Sequence, residues 1–555
     1  MKRMISAGLA GLALISFTGF AAAATQLIVP LESSTARAKA LGDVPMRFNR
    51  EGLERLQPGA DVELTLPNGS RHDYVYEQII DHGGGFKTWI ARSPLTGSGE
   101  RAIITYGPSG SWGWMKTRYG DYRIYPSNKG YDLVAKRERQ MLAPKWKGGD
   151  AVQVADDPPE IAPLKGTPTL VEPSFKSTLP KGLPGSAVQS DLMLIYTKDL
   201  ADKLGVGLMP MLLNLVASVN QAYVDSEVAI VLRLVNATMI DHSNAHASDD
   251  TLDGMGGFGA FASTFQPLTW GVSSVRNTVA ADFVALLRDG PTDTGGIGNL
   301  NRNPVIYPDS TAGQTSGYSV NNFCASGCEG ILAHELGHNM GSHHDPHVIA
   351  YDSGTGTVNQ TGVFPYSYGF YSCANGLSCN PYTTVGPDAC TAYASCKPDS
   401  VGPPTIVNAN DFGTIMSYVN PRVMTFSNPN LVTCVPPGGA PGSPRVCGGA
   451  VPLPAPGGLV ANNALSLNNV RGALSAYRNQ TITNLAGAVQ FTNTTYSGAE
   501  GTNLTFTVSR TNGSSGSLTV SYAVTGGSAT AGTDFTAASG TLTWANGDTA
   551  NKSFN

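Results

Sequence analysis

The sequence predicts a multidomain chain with three structural parts: a β-rich N-terminal region, an α/β domain on a mixed twisted sheet, and a C-terminal β-sandwich. Three observations carry that reading. At 555 residues the chain is too long for one ordinary core. With 65 Gly, 36 Pro and only 14% charged residues, it favours strands and loops over long charged helices. The hydrophobic pattern also changes character near residues 188 and 485. A formal net charge of -5, without long Lys/Arg runs, leaves no electrostatic footprint for nucleic acid.

Residues 1–24 place Lys2 and Arg3 before an apolar run from Ile5 to about Phe20, then reach the small residues Ala21, Ala22 and Ala23. Charge, length and cleavage-site composition predict a secretory signal peptide, and the run is too short and interrupted for a membrane anchor. No later segment is expected to span a membrane, so the mature chain is predicted to be secreted, either extracellular or held in the periplasm or at the cell surface. Export makes the cysteines readable. All eight lie between Cys324 and Cys447, and an even number in an oxidising compartment predicts disulfides. Local pairs Cys373 with Cys379, Cys390 with Cys396, and Cys434 with Cys447 fit the spacing, though sequence alone does not choose among connectivities.

From residue 25 to about 135, short apolar runs such as "FKTWIARSP" and "RAIITYGPSG" alternate with Gly, Pro and Asn turns, which predicts a small antiparallel β domain. A Pro/Lys/Gly-rich linker follows, so residues 25–187 form a β-rich region and linker. Over 188–482, "LMLIYT", "LMPMLLNLVASVNQAYVDS", "VAIVLRLVNATMI" and "VRNTVAADFVALLRDG" alternate strand and helix, the signature of an α/β layer with a partly parallel sheet. Ala461 to Gln480 closes that domain with a helix. Residues 485–555 turn to Thr, Ser and Gly with alternating strands, a β-sandwich pattern. The chain stops at Asn555 inside an expected strand, so this sandwich is expected to be incomplete.

The stretch "AHELGHNMGSHHDPH" holds five of the nine histidines. His334 and His338 are four apart, which on a helix leaves their rings roughly 40° apart on one face. Gly341 allows the chain to leave the helix with φ above zero, and His344 returns as a third nitrogen ligand. Three neutral imidazoles suit Zn²⁺ and keep its fourth position for water. Glu335, beside His334, is placed to take that water's proton and pass it to a leaving amine, so the spacing predicts metal-assisted amide hydrolysis. A structural zinc clip would close the fourth position and have no use for Glu335. His343, His347, His72, His82, His242 and His246 do not fit the ligand spacing and are expected to be solvated or hydrogen-bonded.

The spacing H-E-x-x-H-x-x-G-x-x-H resembles that of the metzincin metallopeptidases, and Asp345 after the third histidine resembles their reprolysin (adamalysin) branch. Met416, in "DFGTIMSYVNPRVMTFSNP", is similar to the family's Met-containing turn beneath the zinc. The resemblance covers about residues 190 to 480. It implies an α/β metzincin catalytic domain with an active-site helix, Zn²⁺ on His334, His338 and His344, Glu335 as general base, and a secreted endopeptidase acting on protein or peptide substrates. Tyr418 resembles the Met-x-Tyr turn of astacins and serralysins. It is either an oxyanion stabiliser or a packed aromatic. The family's substrate-holding edge strand is expected in "DFVALLRD" followed by "GGIGNLN".

On that resemblance, residues 25–187 read as a pro-region of a zymogen; a permanent β domain for substrate binding is the competing reading. No cysteine precedes Cys324, so latency would come from another ligand or from steric cover. The tail resembles a Calx-beta repeat, some members of which bind Ca²⁺. Glu500 and Asp534 match its acidic positions, but two carboxylates are too few for a site that takes six to eight oxygens. The alternative to a peptidase is a surface adhesin in which the tail carries the function and the metal site is vestigial.

Overall fold

The computed structural model describes residues 25–31, 43–66, 69–127, 130–137, 151–153, 177–184, 187–256, 266–289, 294–302, 317–322, 328–346, 349, 361–372, 412–417, 422–435, 445–451, 459–478, 486–493, 495–499, 501–513, 517–526, 528–545 and 548–555. The expected signal peptide, residues 1–24, lies outside them.

Ten strands organise the N-terminal region: β1 (Thr25–Gln26), β2 (Ile28–Pro30), β3 (Asp43–Phe48), β4 (Asp61–Thr65), β5 (Arg71–Gly83), β6 (Phe86–Ser93), β7 (Gly97–Gly107), β8 (Gly110–Thr117), β9 (Gly120–Pro126) and β10 (Asp132–Arg137). Their order is β1-β4-β5-β6-β7-β8-β9-β10-β3-β2. Only Leu27 separates β1 from β2 in sequence, yet they stand at opposite ends of that order. The two edges therefore meet, and the sheet closes into a barrel. All pairings are antiparallel except β1 with β4. Phe48, Leu64, Tyr74, Trp89, Ile104 and Met115 fill the interior, together with Leu53 from the short helix α1 (Arg50–Glu54).

His72 and His82 occupy buried positions of β5, between exposed residues such as Arg71, Asp73 and Asp81. His82 is hydrogen-bonded, one of the two expected states, whereas His72 is buried without a hydrogen bond, 3.7 Å from Glu100, and corrects the expectation. The ring of His82 lies between Ser177 Oγ and Thr88 Oγ1, each at 2.7 Å. Burial pushes its pKa down to about 4, with Asp81 pulling weakly the other way. A ring that stays neutral when folded but charges once unfolded contributes stability that is present above about pH 6.5 and lost as pH falls through the window to about 4. The loss is on the order of 3 kcal/mol. Urea unfolding followed by Trp fluorescence is expected to weaken between pH 7 and pH 4.5 in the wild type, and less so in His82→Gln. Equal weakening in both would remove His82 as the cause.

The second unit is a six-stranded sheet of β11 (Ala151–Gln153), β12 (Val188–Thr197), β13 (Ile230–Ile240), β14 (Phe283–Arg288), β15 (Gly296–Leu300) and β16 (Tyr318–Asn322), in the order β11-β15-β16-β14-β12-β13. Every pair is parallel except β15 with β16. Helices α2 (Lys198–Leu204), α3 (Leu208–Asp225), α4 (Ser248–Gly256) and α5 (Gln266–Val279) connect the parallel strands, as the alternating pattern predicts. Later come α6 (Cys328–Asn339) and α7 (Asn463–Leu474). "DFVALLRD" is not an edge: β14 is buried at every position between β12 and β16, as its unbroken apolar run requires. β15 lies nearer the edge and is covered there by β11.

The stretch Lys198–Asp225 is long and apolar enough to cross a membrane by composition, contrary to the sequence expectation of no such segment. Here it includes a core helix, with Pro210 to Tyr223 buried. Two short ladders, β17 (Tyr371–Ser372) with β18 (Phe412–Gly413) and β19 (Gly449–Val451) with β20 (Leu459–Ala461), finish this unit. Cys434 and Cys447 form a disulfide, one of the expected local pairs. Cys324, Cys373, Cys379, Cys390 and Cys396 lie outside the described residues, and only the backbone of Cys328 is described.

The C-terminal β domain has two small sheets. β21 (Ala486–Phe491), β22 (Phe506–Gly513) and β25 (Lys552–Phe554) form one; β23 (Leu518–Ala523) and β24 (Ser539–Trp544) form the other. Val508, Leu542 and Trp544 are the buried centre. Asp534 accepts the Thr530 N–H at 2.8 Å, and Glu500 lies outside the described residues.

Candidate metal centre

Helix α6 begins behind β16 and carries "CEGILAHELGHN". It lies close against β15 because β15 has glycines where it meets the helix. A Cβ at Gly296 would land on Glu335 Oε1 and within 2.7 Å of Ile331 Cγ2, and one at Gly298 would meet the Glu335 carbonyl at 2.8 Å. The helix end is stitched to the same strands: Asn339 Nδ2 donates to the carbonyls of Asn299 and Tyr318 at 3.0 and 2.8 Å, and the Asn301 N–H donates to His338 O at 3.0 Å.

The helix then stops as the sequence predicts. Gly341 has φ +92°, its N–H donates to His338 O at 2.9 Å, and the Ser342 N–H donates to Gly337 O at 2.8 Å. This pair of bonds is a Schellman ending, which reverses the chain within one turn and satisfies carbonyls the helix leaves open. A Cβ at residue 341 would also meet Val363 at 2.6 Å. The reversal carries His344 back over the helix.

His334, His338 and His344 come together with one ring nitrogen each inside a 4.8 Å cluster, and all three are buried. His344 Nε2 stands 3.3 Å from His334 Nε2 and 3.1 Å from His338 Nε2. The opposite nitrogens fix the tautomers. His334 Nδ1 donates to Ile415 O at 2.7 Å and His338 Nδ1 to Ser342 O at 2.9 Å. A carbonyl has no hydrogen to give, so in each neutral ring Nδ1 carries the proton and Nε2 presents its lone pair to the cluster. Lone pairs at such distances repel unless positive charge lies among them. The donor set thus fits a divalent ion of zinc's preference, with backbone carbonyls orienting the ligands.

Met416 is fully buried beneath this site, with its Sδ 2.5 Å from where a Gly337 Cβ would be and Phe426 beside it. Its carbonyl accepts the Asp345 N–H at 3.2 Å. The segment 414–417 therefore supports the cluster three ways: Ile415 O holds His334, Met416 fills the space under Gly337, and Met416 O holds the backbone after His344. Sequence reasoning names Met416 but misses the Ile415 and Ser342 carbonyls and the glycines at 296, 298 and 337. A glycine between the two helical histidines is the one local signal of a close neighbour. Glu335 is buried next to the cluster against Gly296 and Gly298. Tyr418 and His347 lie outside the described residues. His343 is buried, bridged in the backbone to Tyr368, and hydrogen-bonded as one of its two expected states, its Nδ1 accepting the His344 N–H at 2.8 Å. His242 and His246 stack on each other at 5.3 Å, away from the cluster.

Comparison with known proteins finds three family models that match parts of the chain. Residues 187–427 match the family model described as metallo-peptidase family M12, of the reprolysin type. Residues 23–140 match the BamI lipocalin-like domain, and residues 483–554 match the Calx-beta domain. No curated protein matches the chain. Among solved structures, one titled as a chaperone-substrate complex is 12% identical with a TM-score of 0.31, over 76% of this chain and 46% of its own. This chain therefore spans about half of that structure. Metalloproteinase-II from Bacteroides fragilis is 15% identical with a TM-score of 0.31, over 51% of this chain and 81% of its own. The M12 family implies zinc, and the histidine cluster lies inside the matched region. Residues 187–427 are thus similar to the reprolysin-like metallopeptidases of family M12, and residues 483–554 to the Calx-beta domain.

Proposed function

We propose that the chain is a secreted, metzincin-type zinc endopeptidase in which His334, His338 and His344 hold the metal and Glu335 is the general base. The observation that carries this is the convergence of three Nε2 atoms, two of them fixed as lone-pair donors by carbonyls on their far sides. Bound zinc supplies Lewis acidity, polarising the scissile carbonyl and acidifying water. The protein's part is proton handling and orientation. The Glu335 carboxylate accepts a proton from the attacking water and returns it to the departing amine. Its burial against two glycines holds it in one place and keeps bulk water from competing for the proton. The leader-like composition of residues 1–24 supports export.

The test is metal content and its link to hydrolysis. Protein purified without added metal is expected to contain one zinc per chain by elemental analysis. Casein hydrolysis by the linker-cleaved protein is expected to stop with a chelator and to return on adding zinc. Hydrolysis that persists after the ion is fully removed rules the reading out.

A further inference from the structure

Helix α3 carries a polar stripe, Asn214, Ser218, Gln221 and Asp225, at the three- and four-residue spacing that puts side chains on one face. Such a stripe ordinarily faces water, with the apolar residues opposite packed in the core. Here Met211, Leu215, Val219, Ala222 and Tyr223 do lie in the peptidase core. The polar stripe is nevertheless buried too, under the outside of the N-terminal barrel.

Each residue of the stripe has a hydrogen-bond partner on the barrel. Asn214 Nδ2 donates to Ile103 O at 3.1 Å and to Thr105 Oγ1 at 3.2 Å. Trp114 Nε1 donates to Ser218 Oγ at 3.0 Å, and Gln78 Nε2 to Gln221 Oε1 at 3.2 Å. Arg101 forks onto both oxygens of Asp225 and also pairs with Glu77. Between these bonds Ala217 packs among Ile80, Ile90, Ile103 and Trp114. Nearby, Arg123 on β9 reaches Glu329 in the first turn of α6 at 3.5 Å, both buried.

The barrel is shaped for this contact. Along β5, Tyr74 and Tyr76 point into the barrel. The register with β6 then slips between Tyr76 and Gln78, a bulge that leaves Glu77 as the extra residue. Beyond it the facing reverses: Ile79 packs inward, while Gln78 and Ile80 turn out towards α3.

We infer that the lipocalin-like barrel is a permanent lobe of the peptidase rather than a region lost on processing, and that a chain cut in the linker persists as a tight two-piece complex through α3. Buried polar groups matched one to one are costly to separate, because parting the surfaces leaves each without its partner. The linker's end is also fastened to the barrel. The Thr178 N–H donates to Asp81 O at 2.7 Å and the Lys181 N–H to Gln78 Oε1 at 2.6 Å, so residues after a cut still grip β5.

The experiment places a specific protease site between residues 138 and 150 of the full chain, cuts to completion as checked on a denaturing gel, and measures mass under native conditions at micromolar concentration. The wild-type pieces are expected to run as one complex. Arg101→Glu turns the fork on Asp225 and Glu77 into repulsion. It is expected to weaken the cut complex about a hundredfold or more, so that two species appear. Uncut Arg101→Glu, whose lobe is tethered at high effective concentration, is expected to keep the wild-type mass and circular dichroism. Separation of the wild-type pieces, whether the larger remains soluble or precipitates, overturns the inference, as does a cut Arg101→Glu complex as tight as wild type. The readout is mass, so its failure is distinct from any failure of the zinc assignment.

Discussion

Glu335→Gln is expected to keep one zinc per chain and to lower turnover roughly 10²–10⁴-fold, the usual contribution of a positioned general base. Gln has nearly the shape of Glu, and the room against Gly296 and Gly298 that receives the carboxylate receives the amide as well. His334, His338 and His344 keep their orienting bonds, since those run to Ile415 O, to Ser342 O and through the backbone after His344 rather than to Glu335. What is lost is the ability to take a proton, because a neutral amide is no base at ordinary pH. The loss should therefore fall on kcat, with KM and metal content little changed. Elemental analysis beside steady-state kinetics on one peptide separates this from unfolding. Turnover within tenfold of wild type would show that Glu335 is not the base.

That the histidine cluster was legible and much of its support was not follows from where each constraint lies in the chain. The two helical histidines, the glutamate, the glycine and the third histidine fall within eleven consecutive residues, so helix geometry and one positive-φ turn suffice to bring the rings together. The alternation of strand and helix from Val188 to Arg288 was also legible, because parallel strands require crossover helices between them. What escaped is contact between distant segments. Ile415 O and Met416 meet α6 only after the sheet is built, and nothing in local periodicity announces a carbonyl. The stripe Asn214, Ser218, Gln221 and Asp225 reads as a solvent face on any hydrophobic count, since a covered polar surface and a wet one have the same composition. The barrel's double-sided strands left a trace in "RAIITYG" and "SWGWM", whose apolar residues do not alternate. Strands with apolar residues on both sides are buried on both faces. One face proved to be the barrel's own interior and the other the seat of α3.

Gly337→Val is expected to cost the protein most of its zinc as well as its activity, although residue 337 offers no ligand atom. The position lies on α6 between His334 and His338, above Met416. A single Cβ there would stand 2.5 Å from Met416 Sδ, 3.3 Å from Met416 Cε and 3.2 Å from Phe426 Cε1. Alanine meets chiefly the end of a flexible thioether, which can swing aside, so Gly337→Ala should cost about 1–3 kcal/mol as overpacking does elsewhere. Valine adds two methyl groups that cannot all avoid Phe426 as well. The helix must lift or the 414–417 segment must drop, and either movement stretches the His334 Nδ1 to Ile415 O bond that keeps one ligand in its tautomer. Removing the obstacle should reverse part of the effect. Met416→Ala in the Gly337→Val background opens the space the valine needs, and is expected to restore zinc content towards one per chain, even though Met416→Ala alone destabilises by about 2–5 kcal/mol through the cavity it leaves. Zinc stoichiometry and thermal unfolding of the four proteins in this cycle give the coupling directly. Additive losses, with no recovery in the double variant, would mean that Met416 does not set the height of the histidine-bearing helix.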